Sequence, residues 1–505
     1  MSTKQLSLWS LLLPGLEKVL YDNNPWWRGE KIFGLPGMKR WAFQPALERI
    51  EKGIQNRKAP AVVLRGPRQI GKTTLLLQII DYLLDHNVSP HRIFRLQFDE
   101  LPELGRLKDV SVILELCRWF SENILKKSFN QAACDGEQAF IFLDEVQNLS
   151  DWAIQIKHLV DINPVRVLVT GSSALRIEAG RDSLAGRVTT LEMGPLFLRE
   201  IGELRGFGQS QPFLPFNGLS VLKQKDFWQE LRSFGEKESE FRQRAFLAFS
   251  QRGGYPVAQA NADVSWEQIA DQLNETVVKR VIQHDLRMGP KGKKRDEHLL
   301  EEVFRLACRY IGQSPNQAFY LNEIRLAMNA NIGWQRIFAY LRFLDGSLLI
   351  RLIEPLELRL KRKRGASKLC LCDHALRAAW LQEIIPLSPE ELEKQPHLCD
   401  LSGRIAESVA GYFLSNIIGL DIAHFPQRNA EPEIDFVLTI GEQRIPVEVK
   451  FRRQIDYRDT IGLRSFIEKA HYNAPFGLLI TLTDAVASDD PRIISVPLST
   501  MLLLR

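Results

Sequence analysis

The 505-residue sequence predicts an α/β protein whose first large domain is built on a parallel sheet. Three short apolar runs lead to this expectation, at residues 61–64, 139–143 and 165–169. A continuous apolar run of this length is typical of a parallel strand that is buried on both faces. Ligands bind at the carboxyl ends of such strands, and each run is followed there by residues suited to phosphate or metal chemistry.

The first run leads into the spacing of a P-loop, because four residues separate Gly66 from Gly71-Lys72-Thr73 and an apolar helix pattern follows. Glycines let successive backbone N–H groups converge on phosphate oxygens at the positive end of the helix. Lys72 is expected to reach the terminal phosphates, and Thr73 to join the Mg²⁺ shell. The predicted cofactors are ATP and Mg²⁺. The nucleotide-binding residues are Gly66, Pro67, Arg68, Gln69, Ile70, Gly71, Lys72, Thr73 and Thr74.

The second and third runs complete the predicted nucleotide site. Asp144 is expected to hold Mg²⁺ through its water shell, and Glu145 to orient and deprotonate the attacking water. Such a pair also occurs at ordinary helix N-termini, and the P-loop favours the catalytic interpretation. The third run ends in Thr170-Gly171-Ser172-Ser173 and should lie beside the P-loop strand. Its hydroxyls, Ser172 among them, either contact the nucleotide or merely cap the next helix.

These motifs, together with Leu184-Ala185-Gly186-Arg187-Val188, resemble the prokaryotic AAA-type ATPases that carry a C-terminal domain of unassigned function. The resemblance implies an arginine that neutralises transition-state charge, from the same or a neighbouring subunit. Arg181 and Arg187 are the candidates, a plain surface arginine is the alternative, and an assembly of identical chains is left open. The implied domains are an N-terminal segment 1–58, an AAA-type ATPase core 59–198, and a helical lid and connector 199–296.

Residues 297–382 are predicted to form a winged helix-turn-helix, as the resemblance also implies. The predicted helices are 299–311, 321–328 and 334–344, and the predicted hairpin strands are 348–352 and 368–371. Two basic stretches without acids lie beside or within this unit, 287–295 and 359–368. Cations in such stretches displace counterions from DNA phosphates, so DNA is the predicted partner, although solvated loops are the alternative. The basic residues of the hairpin tip are Arg359, Lys361, Arg362, Lys363, Arg364 and Lys368.

A second candidate site lies within residues 383–505. If Gly441-Glu442 forms a two-residue type II′ turn, Ile440 pairs with Gln443 and Asp435 lies opposite Glu448. Opposed carboxylates stand about 5 Å apart and repel each other. Mg²⁺ between them relieves the repulsion, and Lys450 on the same face relieves part of it. An acid–acid–lysine set around such a metal can polarise a phosphodiester and activate water.

This pattern resembles the PD-(D/E)-x-K core of restriction-endonuclease-like nucleases, with Ile434 where that family has proline. The resemblance implies DNA cleavage by a restriction-endonuclease-like α/β domain. Its catalytic residues are Asp435, Glu448 and Lys450. The family also uses a helix glutamate, which implies Glu407 on a helix capped by Ser402, and a metal held by Glu407, Asp435 and Glu448. The alternative is a salt-bridged polar face inherited from an inactive nuclease.

Composition adds mainly exclusions. A net charge of +5 is too small to prove a nucleic-acid partner. The six cysteines lack C-x-x-C spacing, which indicates neither a zinc finger nor a disulfide framework and fits a protein of the reducing cytoplasm. No apolar run approaches the length of a membrane span, about 18 residues, so a membrane role is not expected.

The leading hypothesis is ATP hydrolysis coupled to DNA binding and DNA cleavage, in defence against foreign DNA. The rival is an ATP-dependent switch whose C-terminal domain binds DNA or a protein partner without cleavage.

Overall fold

The computed structural model describes most of the chain, which divides into two compact units, Met1–Met193 and Gly194–Arg505. The described residues are 15–52, 61–101, 111–149, 151–171, 186–214, 218–285, 296–357, 365–427 and 431–505.

The N-terminal unit is an α/β layer structure with six helices and five strands among its described residues. Its helices are α1 (Leu16–Asn23), α2 (Phe43–Lys52), α3 (Lys72–Asp85), α4 (Val112–Phe120), α5 (Phe129–Cys134) and α6 (Trp152–Ile162). Its strands are β1 (Ala61–Arg65), β2 (Ile93–Gln97), β3 (Phe140–Asp144), β4 (Arg166–Gly171) and β5 (Val188–Glu192).

These five strands form one parallel sheet in the order β2-β3-β4-β1-β5. Every residue of β1, β3 and β4 is buried, which explains why their sequences are continuously apolar rather than alternating. The α/β fold with a parallel sheet is therefore confirmed. So is the expectation that the third apolar run lies beside the P-loop strand, because Leu64 pairs with Thr170.

The segment before the P-loop covers an edge strand of this sheet. The Asn24 side chain donates to the Arg95 carbonyl (2.8 Å) and accepts from the Arg95 amide (2.6 Å), so it pairs with β2 as a neighbouring strand would. Trp26 and Trp27 donate their indole N–H groups to the Ile93 carbonyl at 3.2 and 2.9 Å. Because unpaired edge groups invite other chains to pair with them, these contacts protect the sheet edge.

The C-terminal unit contains more helices and two further sheets. Its helices are α7 (Leu198–Leu204), α8 (Lys225–Lys237), α9 (Ser239–Arg252), α10 (Pro256–Ala260), α11 (Trp266–Leu273), α12 (Glu297–Arg309), α13 (Gln317–Met328), α14 (Trp334–Gly346), α15 (His374–Leu381), α16 (Pro389–Lys394), α17 (Cys399–Ser415), α18 (Ile461–Glu468) and α19 (Leu498–Met501). Its strands are β6 (Ile350–Ile353), β7 (Lys368–Leu371), β8 (Asp421–Phe425), β9 (Ile434–Ile440), β10 (Gln443–Lys450), β11 (Gly477–Thr481) and β12 (Ile493–Pro497).

Three helices followed by a hairpin occupy the region predicted as a winged helix-turn-helix. They are α12, α13 and α14, and β6 then pairs antiparallel with β7. Helix α13 begins at Gln317, four residues before the predicted start, because the Asn316 side chain accepts a hydrogen bond from the Phe319 amide and caps it. The arrangement matches the predicted order of elements, and the winged-helix assignment itself stays a prediction.

The C-terminal sheet is mixed, with the order β12-β11-β10-β9-β8. Ile440 pairs with Gln443 as the turn chemistry predicts. Gly441 has a φ of +63° whereas Glu442 does not have a positive φ, which agrees with a type II′ turn. Val437 and Pro446, on the same face as Asp435 and Glu448, pair with each other and are buried.

Helix α17 packs tightly in this unit. A Cβ added at Gly411 would stand 2.6 Å from both the Cys370 sulfur on β7 and the Phe436 ring on β9. The predicted cap at Ser402 is wrong: α17 begins at Cys399, and the Ser402 hydroxyl lies inside the helix and donates to the Pro386 carbonyl at 2.9 Å.

All six cysteines are free thiols. Four are buried, and two of these, Cys117 and Cys308, have pKa values raised to about 12 by burial. Cys134 is exposed and Cys399 is half-buried. Within the described ranges, we find no helix that combines the length and apolarity needed to cross a membrane.

Replacing Gly411 with alanine should lower the free energy of unfolding of the C-terminal unit by about 1–3 kcal/mol, because the added methyl overpacks α17 against β7 and β9. Gly403 on the same helix is the matched control, since a Cβ there meets no atom within 4 Å. Gly403→Ala should be neutral or stabilising by up to about 1 kcal/mol. Urea denaturation of both variants checks this, and equal stabilities would contradict the close packing.

Candidate functional site

The predicted P-loop connects β1 to α3 with a tightly curved backbone. Gln69 and Gly71 both have positive φ angles, 63° and 87°, so the chain turns through left-handed conformations before α3 begins at Lys72. Gly66 is required for a different reason: a Cβ there would lie 2.3 Å from the Met193 carbonyl oxygen. A curved, glycine-containing backbone before the first turn of a helix is the arrangement that a phosphate site needs.

Lys72 lies within this loop and is 4% exposed. Its ammonium donates to the Gly66 carbonyl at 3.0 Å and the Pro67 carbonyl at 2.7 Å. A buried ammonium needs partners, and here the loop backbone supplies some of them. Phosphate oxygens arriving at the loop would offer this ammonium charged acceptors in place of neutral ones.

Asp144 ends β3 and is fully buried. The Thr170 hydroxyl at the end of β4 donates to its Oδ1, while Arg95 on β2 lies 3.6 Å from its Oδ2. Oδ2 accepts no hydrogen bond. Burial raises the pKa of this carboxyl, and the hydroxyls of Thr170 and Thr73 act in the opposite direction by favouring the ionised form.

Glu145 follows directly and adopts a left-handed backbone with a φ of 54°. Its amide donates to the Thr170 hydroxyl at 3.1 Å, and its carboxylate accepts from the Gln147 amide group. The Thr170 hydroxyl therefore contacts both acids. It donates its proton to the Asp144 carboxylate, and its oxygen accepts a hydrogen bond from the Glu145 backbone amide. Ser172, which the sequence assigned to the nucleotide, lies outside the described residues, as does Arg181.

The residues at this sheet edge fit a magnesium nucleotide. Oδ2 of Asp144 is a buried acceptor without a hydrogen bond, which a metal-bound water would satisfy. The loop backbone around Gly66 admits no side chain, as close approach to phosphates requires. Two contributors were missed by the sequence reading, Arg95 and Gln147. A charged residue inside an apolar strand pattern was a signal for Arg95, and Gln147 lies only two positions after its hydrogen-bond partner Glu145.

Arg187, one of the two candidate arginines, does not lie at the P-loop of its own chain, and its action on the nucleotide of a neighbouring subunit stays a prediction. The Ala61 amide donates to its carbonyl at 3.2 Å, and Ala61 pairs with Val188. Arg187 thus lies at the amino end of β1, about 15 Å along the strand from the P-loop. Its guanidinium pairs with Asp161.

The predicted acidic set of the C-terminal unit is brought together on β9, β10 and α17. Asp435 Oδ2 accepts from the Val449 amide at 2.8 Å, and Lys450 pairs with Glu448 Oε1. Glu407 on α17 lies near enough to Asp435 for their charges to interact. The side chains of Asp435 and Glu448 are 12% and 11% exposed, so the cluster is largely removed from water.

A residue assigned elsewhere also lies in this cluster. Lys368, predicted as a DNA-contacting residue of the hairpin tip, has a side chain 1% exposed. Its ammonium contacts Glu407 and lies 3.0 Å from Asp435 Oδ1 and 3.4 Å from Glu433 Oε1. The assignment of Lys368 to DNA is therefore wrong, since a buried ammonium reaches no phosphate. Residues 359–364 of that tip and the stretch 287–295 lie outside the described part of the chain.

The cluster does not fit a divalent metal. No group of three or more His, Cys, Asp or Glu side chains in the described part of the chain is placed to hold a metal ion. Between Glu407 and Asp435 the position of a cation is taken by Lys368. The role of Glu407, Asp435 and Glu448 as metal ligands stays a prediction that this geometry does not favour.

Burial shifts the protonation of these groups. Although burial alone would raise it, Lys368 holds the pKa of Asp435 below its ordinary value, whereas burial and Asp435 raise the pKa of Glu407. Burial and the charge of Asp435 raise the pKa of Glu448 to about 8. Glu448 Oε2 is buried and accepts no hydrogen bond, so ionisation leaves this oxygen without compensation, in line with the raised pKa.

Comparison with known families assigns the N-terminal unit and leaves the C-terminal unit open. The family described as AAA domain matches residues 58–202. This match covers less than a third of the chain and lies mostly in the N-terminal unit, where it supports an AAA-type P-loop domain. Two families described as domains of unknown function match residues 243–385 and 403–501. They support neither a winged helix nor a nuclease.

Similar proteins add little beyond this. An uncharacterized protein of Methanocaldococcus jannaschii is 31% identical over 162 residues, which are 32% of each chain. An uncharacterized protein of Haemophilus influenzae is 21% identical over 317 residues, 62% of this chain and 68% of that one. The alignment thus covers about a third of the first relative.

Among solved structures, the Aeropyrum pernix ORC2 protein in its ADP form is similar with a TM-score of 0.32 and 15% identity, over 63% of this chain and 89% of that one. CDC6P from Pyrobaculum aerophilum is similar with a TM-score of 0.27 and 14% identity, over 69% of this chain and 95% of that one. These scores are too low to support a structural argument.

In the absence of divalent cations, the unfolding free energy should fall as pH rises from about 5 to about 9. Because the pKa of Glu448 is raised from 4.5 to about 8, the stabilising proton is fully bound below the unfolded value and lost as pH passes the folded value. In Glu448→Gln, the fall of the unfolding free energy over this pH range should be smaller by about 2–4 kcal/mol. Urea denaturation across this range checks it, with exposed Glu442→Gln as control; identical pH profiles for wild type and Glu448→Gln would contradict it.

Proposed function

We propose that the N-terminal unit binds ATP with Mg²⁺ and hydrolyses it, and that the nucleotide state controls how the C-terminal unit binds DNA. The observation that carries the first part is the contact of one hydroxyl, that of Thr170, with both Asp144 and Glu145 at the edge where the P-loop strand also ends. This contact supports a site in which Asp144 serves the metal and Glu145 serves the attacking water beside the phosphate loop.

Each residue has a defined task in this proposal. Lys72 exchanges loop carbonyls for phosphate oxygens, and the N–H groups at the start of α3 bind the same anion. Thr73 and Asp144 hold Mg²⁺, which neutralises charge on the phosphates when it is bound. Thr170 fixes the Asp144 carboxylate and the Glu145 backbone. Glu145 takes the proton of the attacking water once its contact with Gln147 is released.

The ATPase assignment predicts two different losses. Lys72→Met should abolish both ATP binding and phosphate release, because the charged phosphate contact is lost. Glu145→Gln should keep ATP binding while phosphate release falls at least 100-fold, on the order of a general base's contribution. Fluorescent-nucleotide binding and phosphate release measure the two effects.

Lys127→Met is the matched control, because Lys127 is a half-exposed lysine of the same unit that pairs with Asp135 and Glu137. It should retain both properties. Hydrolysis that persists in Glu145→Gln would refute the assigned base, and binding that persists in Lys72→Met would refute the assigned loop.

DNA binding is supported by the three-helix unit. Helix α14 presents Arg336 and Arg342, which are 49% and 48% exposed and pair with Asp296 and Glu354 at the surface. Exposed ion pairs contribute little stability, so phosphates compete well for these guanidinium groups. The sequence adds the basic residues of 359–364 between β6 and β7.

The DNA proposal predicts a change in salt dependence. The double variant Arg362→Ala/Lys363→Ala should bind duplex DNA more weakly, and the slope of log affinity against log salt should become shallower by about 2. Fluorescence anisotropy with a labelled duplex at several salt concentrations measures this slope. Lys279→Met, which removes one lysine paired with Glu275, should leave it unchanged. A double variant with the wild-type slope would contradict DNA contact by these residues.

Cleavage is the less favoured outcome of DNA binding. The residues that a nuclease needs are near one another, yet Glu407 and Asp435 are already neutralised by Lys368. We therefore favour the switch that binds DNA or a protein partner without cutting. Defence against foreign DNA stays a hypothesis on which the geometry does not bear.

A further inference from the structure

The acidic cluster of the C-terminal unit contains a cation that belongs to the chain itself. The Lys368 ammonium, three donors on one nitrogen, faces Glu407 and two further carboxylates, Asp435 at 3.0 Å and Glu433 at 3.4 Å. It also stands 5.3 Å from the centre of the Phe436 ring. A lysine with a side chain 1% exposed is tolerated only when carboxylates of this kind compensate it.

The strand that carries this lysine is held firmly. The Leu369 amide donates to the Gln313 carbonyl at 2.9 Å, and the Leu371 amide donates to the Ser408 hydroxyl of α17 at 2.9 Å. Gly411 on the same helix has no room for a Cβ beside β7. Lys368 is therefore positioned by a packed strand and not by a loose loop.

The arrangement of the charges is that of an ammonium site. Mg²⁺ requires oxygen ligands at about 2.1 Å in an octahedral arrangement. A metal between Glu407 and Asp435 would lie beside the Lys368 nitrogen, and two cations at that distance repel strongly.

The remaining acid of the predicted metal site is engaged separately. Glu448 pairs through Oε1 with Lys450, so the lysine expected to act on a phosphodiester neutralises its own neighbour. The cluster consists of two lysine–carboxylate groups, Lys368 with Glu407 and Asp435, and Lys450 with Glu448.

We propose that Lys368 is the resident cation of this cluster, that it excludes divalent metal ions from Glu407 and Asp435, and that the C-terminal unit is consequently a binding module without metal-dependent cleavage. The salt bridges of Lys368 thereby link β7 to α17 and β9. This inference does not depend on ATP hydrolysis.

Binding of Mn²⁺ to the full chain without nucleotide tests the proposal, with free Mn²⁺ followed by electron paramagnetic resonance. Wild type and Glu407→Gln should bind the same number of ions, because the cluster of the wild type holds none. Lys368→Met should gain one ion per chain, and Lys368→Met/Asp435→Asn should lose it again. The Tm of Lys368→Met should be lower than that of wild type and should rise when Mn²⁺ is added.

Lys279→Met is the control for removal of a lysine paired with a carboxylate, and it should gain no ion. Lys368→Arg keeps the positive charge and should also gain none. One ion fewer in Glu407→Gln than in wild type would overturn the proposal, and this comparison needs no lysine variant to fold. A folded Lys368→Met that gains no ion would overturn it equally.

Discussion

Parallel pairing of β1 with β4, and of β4 with β3, is the constraint on which the N-terminal unit depends. Strands that run the same way end at the same edge, so Gly66, Thr170 and Asp144 must meet there regardless of the residues between them. The helices that return the chain to the start of each strand cover both faces of the sheet, and this demands apolar side chains along the whole strand. The polar residues are thereby restricted to the strand ends, where the site forms.

The two acidic sites show two solutions to the same electrostatic problem. A buried carboxylate needs compensation, and Asp144 has it only in part, from the Thr170 and Thr73 hydroxyls and from Arg95 at 3.6 Å. Its second oxygen retains capacity for a further partner. In the C-terminal unit the compensation is complete for Asp435, which has a lysine and a backbone amide. A site with spare capacity suits a ligand that comes and goes, whereas a compensated site suits a permanent contact.

The sequence could predict whatever is set by local chemistry. Glycine spacing located the phosphate loop, and the Gly441 turn fixed the pairing of Ile440 with Gln443, because backbone conformation and hydrogen-bond register follow from neighbouring residues. It also brought Glu407, Asp435 and Glu448 to one place by resemblance. These predictions required no knowledge of packing.

Long-range packing decided the rest. Lys368 stands in a basic run and was therefore assigned to solvent and DNA, but as the first residue of β7 it points into the unit and faces acids that lie 39 and 67 positions later in the sequence. Arg187 lies close to the loop motifs along the chain yet at the opposite end of the sheet. Composition of a short stretch does not reveal which end of a strand, or which side of a layer, a residue occupies.

The distribution of the thiols has a practical consequence. Burial keeps Cys117 and Cys308 protonated, and Cys370 and Cys372 are enclosed as well, so alkylating reagents should find only Cys134 and Cys399. One of these belongs to each compact unit. The natural chain therefore offers one attachment point for a dye on either unit, and the separation between the units becomes observable by energy transfer as nucleotide is added or removed.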